Sequence, residues 1–239
     1  MAIEFIGKCL LINENNENVL VIGDIHLGFM NEKVHGIDIE GKIFDEMIEE
    51  FDCVFGKVGE VDKIILLGDL KHSFSSLSRE ERNGLVNLLD YLAKKGREII
   101  VIRGNHDNYL LNITSKRKMK VKDYFLWKKY CFLHGDRDFK EIYDERVKVW
   151  VMGHLHPAID LKENGKKERY KCFLEGEYKK RKVIILPSFF DFNEGINMSE
   201  LIGENRLVWN FDLKKFSVRV IGDKLEVLDF GKLRRLGNG

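Results

Sequence analysis

The chain has 239 residues, of which 44% are hydrophobic, and its 40 lysines and arginines nearly balance 39 aspartates and glutamates to give a net charge of +1. These values exclude an intrinsically disordered chain, which would combine few apolar residues with a high net charge. A chain of this length buries roughly 70–75% of the surface that its unfolded form exposes, so it needs no disulfide or metal merely to hold a core. Any metal that it binds is therefore expected to serve function.

Membrane and secreted proteins are also disfavoured. No apolar run approaches the ~20 residues that cross a bilayer, and the N-terminal segment lacks the basic region, apolar stretch and cleavage site of a secretory signal. We therefore expect a cytoplasmic protein. The cysteines, at positions 9, 53, 131 and 172, form no C-x-x-C pair, which favours buried free thiols over disulfides or a zinc knot.

Short apolar runs recur along the chain and predict β-strands that are covered on both faces. In chain order they are residues 19–22, 63–67, 98–102, 130–133, 147–152 and 183–186. Helical patterns separate the first three runs: Ile43, Met47, Ile48 and Phe51 share one face, as do Leu85, Leu88, Leu89 and Leu92. This alternation of strand and helix predicts parallel strands joined by right-handed crossovers.

The second half of the chain has a different pattern. Alternating, hairpin-like segments near 168–178, 206–213 and 216–230 predict antiparallel strands. Because no linker or internal repeat stands out, residues 1–239 are predicted to form a single domain. The predicted fold class is α/β, with two sheets in a layered arrangement with helices.

Residue types that bind metals follow nearly every apolar run. The blocks are Gly23-Asp24-Ile25-His26, Gly68-Asp69-Leu70-Lys71-His72, Gly104-Asn105-His106-Asp107, His134-Gly135-Asp136 and Gly153-His154-Leu155-His156-Pro157. Ligands of open α/β sheets bind at the carboxyl ends of the strands, so these five turns are expected to converge on one crevice. Carboxylate and imidazole together suit Mn, Fe or Zn, whereas an all-oxygen set would suit Mg or Ca.

The spacing inside the blocks adds detail. In an extended strand end, residues two apart point the same way, which would pair Asp24 with His26 and His154 with His156. The two carboxylate oxygens of Asp69 could bridge two ions. Asp107 could orient the neighbouring imidazole or cap a turn.

In this order the blocks resemble the calcineurin-like metallophosphoesterase superfamily, whose pattern is D-x-H, G-D, G-N-H-D/E, H and G-H-x-H. The resemblance implies a four-layer αββα fold, a two-sheet β-sandwich flanked by helices, with two divalent metal ions. We expect Mn²⁺, with Fe, Ni and Zn left open. It further implies that one ion is held by Asp24, His26, Asp69 and His156, and the other by Asp69, Asn105, His134 and His154. His106 would stabilise or protonate the leaving oxygen, and a hydroxide between the metals would attack phosphorus in line.

The second block, Gly68-Asp69-Leu70-Lys71-His72, indicates which subfamily of the superfamily the chain resembles. It lacks the G-D-x-V-D-R-G of protein serine/threonine phosphatases and resembles diester-cleaving members, including SbcD-type repair nucleases, in which a histidine matching His72 also faces the substrate. Residues 23–28, 153–157 and 186–189 look like the ligase-associated phosphoesterases and their archaeal SbcD-related relatives. The resemblance implies a phosphodiesterase acting on small or nucleic-acid-derived phosphodiesters, with a DNA ligase or helicase as a candidate partner.

Two further residues are candidate substrate ligands. Arg103 precedes the third block and could bind phosphate or pair with a nearby carboxylate, and His35 lies in a predicted loop. Lysine-rich runs at 116–122 and 179–182 could attract a phosphate backbone or simply form a solvated face. Three alternatives stay open: an SbcD-like DNA nuclease that acts with a partner, a phosphomonoesterase, and a catalytically silent phosphate-binding module.

Overall fold

The computed structural model describes residues 2–28, 39–72, 79–107, 110–117, 119–163, 165–201 and 208–236. The fifteen strands of this part of the chain form two mixed sheets, and its longest helices are α1 (Ile39–Val58) and α2 (Arg79–Leu92). A third, short helix is α3 (Leu111–Thr114). No helix among these residues is both long enough and apolar enough to span a bilayer.

The first sheet has six strands in the order in which they occur along the chain. They are β1 (Ala2–Ile6), β2 (Cys9–Glu14), β3 (Glu17–Ile22), β4 (Val61–Leu66), β5 (Gly96–Ile102) and β6 (Lys120–Lys122). The first three strands pair antiparallel, and β3 to β6 pair parallel. Helices α1 and α2 connect the parallel strands β3, β4 and β5, so the predicted alternation of strand and helix is confirmed.

The second sheet has nine strands, seven of them in the order β13-β10-β11-β12-β9-β8-β7, and β14 joins β11 to β15. They are β7 (Tyr124–Trp127), β8 (Tyr130–Leu133), β9 (Val149–Met152), β10 (Pro157–Glu163), β11 (Lys166–Tyr178), β12 (Arg181–Ile185), β13 (Ile196–Asn197), β14 (Ser217–Ile221) and β15 (Val227–Lys232). The central strands β8, β9 and β12 are parallel. The predicted antiparallel strands near 168–178 and 216–230 are confirmed.

The third predicted antiparallel segment, residues 206–213, is wrong in its described part. Residues 208–212 form no strand, because their backbone bonds locally: Phe211 N–H donates to the carbonyl of Trp209 and Leu213 N–H to that of Phe211. The buried aromatic rings of Trp209 and Phe211 instead pack on the second sheet. Their alternation along the sequence reflects this packing rather than a strand.

Strand alternation builds the layers of the fold. In β3, Leu20 and Ile22 face the helices, whereas Val19 and Val21 face the second sheet. In β9, Val151 faces the first sheet and Trp150 faces the outer side, where within the described residues 3₁₀ turns and loops complete the packing. The predicted α/β fold with two packed sheets is confirmed.

The cysteine prediction is right for three of the four residues. Cys9, Cys131 and Cys172 are buried free thiols, whereas Cys53 is free but exposed. The helical period explains the exception, because Cys53 lies between the buried residues Phe51 and Val54 on α1 and points away from the core.

Candidate metal centre

The candidate metal centre lies where the carboxyl ends of β3, β4 and β5 in one sheet meet those of β8 and β9 in the other. Backbone hydrogen bonds between neighbouring strands continue past the strand ends. Leu67 N–H donates to the carbonyl of Ile22 (2.9 Å), and Gly153 N–H donates to the carbonyl of His134 (2.9 Å). A bond from Phe189 N–H to the Asp24 carbonyl (2.8 Å) joins the sheets at this edge. The structure thus brings the predicted turns into one crevice.

Four of the predicted ligands have left-handed backbone conformations. The φ angles are 49° at His26, 48° at Asp69, 66° at His154 and 42° at His156. Such conformations cost about 1–3 kcal/mol each and persist where the surrounding structure enforces them, often at functional sites. The ligand side chains therefore converge through strained turns, and the extended strand ends expected from the sequence are wrong.

The first cluster contains Asp24, His26 and His156. Nε2 of His26 lies 3.2 Å from Nε2 of His156, which lies 3.5 Å from Oδ1 of Asp24. Asp24 is fixed by the backbone N–H of His154, which donates to its Oδ2 (3.0 Å). The two histidines of the fifth block do not lie in one cluster, because His154 belongs to the second.

The second cluster contains Asp69, His134 and His154. Nε2 of His134 lies 3.3 Å from Oδ2 of Asp69, 3.1 Å from Nδ1 of His154 and 3.0 Å from Oδ1 of Asn105. The same Oδ2 of Asp69 lies 3.9 Å from Nε2 of His26 in the first cluster. A single carboxylate oxygen therefore lies between the clusters, while Oδ1 of Asp69 accepts the backbone N–H of His106 (2.8 Å).

These spacings fit divalent metals. Ligands at 2.0–2.2 Å from an ion in tetrahedral or octahedral geometry lie roughly 2.9–3.5 Å from one another. The facing nitrogens in the two clusters are 3.2 and 3.1 Å apart, and His134 is 3.3 Å from the Asp69 oxygen. The nitrogen and oxygen donors suit Mn, Fe or Zn, so the residues fit two such ions.

The electrostatics favour cation binding. Burial lowers the pKa of His26 to about 4 and also lowers that of His154, which keeps both imidazoles neutral as metal ligands must be. Burial alone would raise the pKa of Asp24, but His156 and His134 outweigh it and hold the carboxyl well below its usual range. His134 differs: burial alone would lower its pKa, but Asp24 and Asp69 outweigh burial and raise it to about 10, so a cation that bound there would displace the proton of this ring.

The two predicted catalytic histidines lie beside the clusters. Nε2 of His106 is 3.8 Å from Oδ2 of Asp69, and its Nδ1 forms a short contact with the carbonyl oxygen of His72. The rings of His72 and His106 are stacked, with centroids 5.7 Å apart. Their partial burial leaves both side chains accessible from the crevice.

Asp107 caps a turn, one of the two roles left open by the sequence. Its carboxylate accepts the backbone N–H groups of Leu70 and Gly104, each at 2.9 Å. Burial and the nearby Asp69 raise its pKa to about 6. Asp107 therefore links the turn of the second block, through Leu70, to the turn of the third block, through Gly104.

The two residues predicted to bind substrate, Arg103 and His35, have different outcomes. Arg103 pairs with a carboxylate, because its Nη1 lies 3.4 Å from Oδ1 of Asp123. His35 lies outside the described residues. Asn193 was not among the predicted site residues, yet its side-chain nitrogen lies 2.8 Å from Nδ1 of His156. The hydroxyl of Ser188 donates to the Asp24 carbonyl (3.0 Å).

Gly153→Ala is expected to weaken metal binding about 10- to 100-fold, the usual cost of disturbing a residue that orients a ligand. The added Cβ would lie 2.5 Å from Oδ2 of Asp24 and displace that carboxylate. Mn²⁺ titration by calorimetry measures the change. The control is Gly84→Ala in α2, where a Cβ meets nothing within 4 Å; equal affinities for the two variants would contradict the prediction.

The model of the calcineurin-like phosphoesterase family matches residues 17–222. Among solved structures, the nuclease MPE of Pseudomonas putida is similar with a TM-score of 0.60 and 16% identity over 93% of this chain and 100% of that one. Vps29 of Cryptosporidium parvum has a TM-score of 0.40 and 13% identity over 90% of this chain and 97% of its own. No curated protein sequence matches.

Proposed function

The chain belongs to the calcineurin-like phosphoesterase family, and from this premise we propose that it is a phosphodiesterase with two divalent ions, Mn²⁺ foremost. Membership makes it a metal-dependent hydrolase of phosphoester bonds. The proposal adds the preference for diesters and the number of ions. An SbcD-like nuclease acting with a partner is the second candidate, because the fold is similar to that of a nuclease.

The observation that carries the proposal is the convergence of a complete ligand set on two adjacent points. Asp24, His26, Asp69 and His156 would hold one ion, and Asp69, Asn105, His134 and His154 would hold the other. When bound, the two ions supply Lewis acidity toward the phosphoryl group and make a water nucleophilic at neutral pH. A silent binding module is disfavoured, because no ligand of the family pattern is missing.

The chain's own residues would handle the leaving group. His106 has Nδ1 against the His72 carbonyl, so Nδ1–H donates there and Nε2 is the ring nitrogen next to Asp69. As an imidazolium, His106 would pass the Nε2 proton to the departing oxygen. His72 lies beside this ring and would contact the second ester group, which only a diester has.

The proposed activity is tested by comparing bis(p-nitrophenyl) phosphate with p-nitrophenyl phosphate in the presence of Mn²⁺. We expect faster hydrolysis of the diester and loss of activity with a chelator. A preference for the monoester would instead establish a phosphomonoesterase. No hydrolysis of either ester with Mn²⁺, Fe²⁺, Ni²⁺ or Zn²⁺ would favour the silent module.

His72→Ala is expected to lower kcat/KM for the diester by roughly 10- to 150-fold, the equivalent of one hydrogen bond to a charged group. The monoester lacks the group that His72 would contact, so its hydrolysis should fall less. The diester-to-monoester ratio is therefore the measurement. An unchanged ratio would remove His72 from substrate recognition.

A further inference from the structure

The chain that follows β12 contacts two candidate ligands of the first cluster from outside the cluster. Phe189 N–H donates to the carbonyl of Asp24 (2.8 Å), and Ile196 N–H donates to the carbonyl of His156 (2.8 Å). The side-chain nitrogen of Asn193 lies 2.8 Å from Nδ1 of the same histidine. Because Nε2 of His156 faces the cluster, Asn193 contacts the ring nitrogen that points away from it.

The hydrogen bonds of Asn193 fix the direction of its amide. Its Oδ1 accepts the backbone N–H of Gly195 (3.0 Å), a group that can only donate, so the NH₂ group of the amide faces His156. An amide NH₂ also can only donate, which makes Nδ1 of His156 the acceptor in the 2.8 Å contact. In a neutral imidazole whose Nδ1 is the acceptor, the ring proton is on Nε2.

This tautomer places a proton where a metal site needs a lone pair. Nε2 of His156 lies 3.2 Å from Nε2 of His26 and 3.5 Å from Oδ1 of Asp24. Without a metal ion, Nε2–H of His156 can donate to His26. A metal ligand must offer a lone pair, so metal binding through Nε2 requires that the proton leave Nε2 and that Nδ1 carry one instead. There it would face the NH₂ group of Asn193, donor against donor.

The second cluster has the opposite arrangement behind one of its rings. Nδ1 of His134 lies 2.8 Å from the carbonyl oxygen of Leu67, which can only accept. Nδ1 of His134 therefore donates, and its Nε2 faces Asp69 and His154. An acceptor behind a ligating ring is the usual arrangement in metal sites. Leu67 thus favours the tautomer of His134 that can bind a metal, whereas Asn193 favours the other tautomer of His156.

The backbone next to Asn193 packs closely against His156. Gly195 has a φ angle of 79°, and a Cβ at this position would lie 2.5 Å from the carbonyl oxygen of His156. The following residue, Ile196, is hydrogen-bonded to the same carbonyl. The clash of donors is therefore relieved by turning over the amide of Asn193, which brings Oδ1 to His156 and breaks the bond from Gly195 N–H.

We propose that Asn193 is a positioning residue that controls metal binding in the first cluster by selecting the tautomer of His156. Metal binding there is coupled to the turning of one amide, and an acceptor at position 193 would remove this requirement. The second cluster has its acceptor already, in the carbonyl of Leu67. The inference rests on the proposed function, because it concerns one of the two ions.

The tautomer is measured by ¹⁵N NMR of the metal-free protein, because protonated and unprotonated ring nitrogens have well-separated shifts. The spectrum of a His156→Gln variant identifies the signals of His156 among those of the 7 histidines. We expect Nδ1 to be unprotonated in the wild type and protonated in Asn193→Asp, whose carboxylate can only accept. Diamagnetic Zn²⁺ should move the wild-type proton to Nδ1. A protonated Nδ1 in the metal-free wild type, or the same tautomer in both proteins, overturns the proposal.

Mn²⁺ titration by calorimetry measures the consequence for affinity. Asn193→Asp should raise the affinity of one of two sites about 10- to 100-fold, the usual effect of a partner behind a ligating histidine, and leave the other site nearly unchanged. The matched control is Asn87→Asp, which adds the same charge at an exposed position of α2 and should change neither site. Equal gains at both sites would assign the effect to the added charge and overturn the proposal.

The outcomes separate the inference from the function on which it rests. A wild-type protein that binds neither Mn²⁺ nor Zn²⁺ overturns both. The expected tautomers and affinities, without hydrolysis of any phosphodiester, overturn the phosphodiesterase and support the role of Asn193. Hydrolysis of diesters by a wild type with Nδ1 of His156 protonated in the metal-free state overturns only the role of Asn193.

Discussion

Asp69→Asn is expected to weaken metal binding in both clusters at once, by more than about 100-fold, because even changes outside the ligand set cost 10–100-fold. Oδ2 of Asp69 lies 3.3 Å from His134 in one cluster and 3.9 Å from His26 in the other. The substitution keeps an oxygen to accept the His106 N–H but replaces the shared oxygen with an amide nitrogen, which cannot act as an anionic ligand. Hydrolysis should fall with the metal content.

Elemental analysis of the purified variant after reconstitution with Mn²⁺ measures this effect. The matched control is Asp90→Asn, an exposed carboxylate paired with Arg117, where loss of a surface ion pair costs about 0–1 kcal/mol and no metal. If Asp69→Asn kept two ions per chain, the shared-ligand assignment would be wrong. Loss of one ion only would assign Asp69 to a single cluster.

His106→Ala is expected to retain both metals and to lower turnover about 10²- to 10⁴-fold, the usual contribution of a general acid. The full loss should appear with a poor leaving group, such as a nucleoside alcohol, because that oxygen must be protonated as it departs. With p-nitrophenolate, a stable anion that needs no proton, the loss should be smaller. The dependence on the leaving group distinguishes proton donation from a structural role.

The measurement compares wild type and variant on the two kinds of diester at equal metal content. His106 also contacts Asp69 through its backbone N–H, which alanine preserves, so the metal ligand should stay in place. An equal loss on both substrates would point to positioning of the phosphate instead of proton transfer. Wild-type rates on both would remove His106 from the mechanism.

Almost all residues of the candidate site could be predicted from the sequence, because the motifs that identify them are short and local. Each block combines a glycine, a strand end and ligand-type side chains within five residues, and such a turn is recognisable wherever it lies. The apolar runs that became β3, β4, β5, β8, β9 and β12 were also visible, since strands buried on both faces need continuous apolar residues. The family followed from the order of the blocks.

Other features depended on contacts between distant parts of the chain. His154 and His156 are two residues apart, yet they lie in different clusters, because Asp24 and Asp69 approach from separate strands of the other sheet. The exposure of Phe192 and the contact between Asn193 and His156 depend on where the loop after β12 lies. Trp209 and Phe211 alternate like strand residues but pack as a loop on the second sheet.

The sequence by itself therefore determined which turns carry the candidate metal ligands and which segments form the central strands. Only the tertiary structure decided how the candidate ligands divide between two clusters and which single oxygen of Asp69 lies between them. The physical reason is the distance along the chain over which each effect acts. Side-chain periodicity and glycine turns act over a few residues, whereas strand order and the packing of two sheets set distances between residues more than a hundred positions apart, as between His26 and His156.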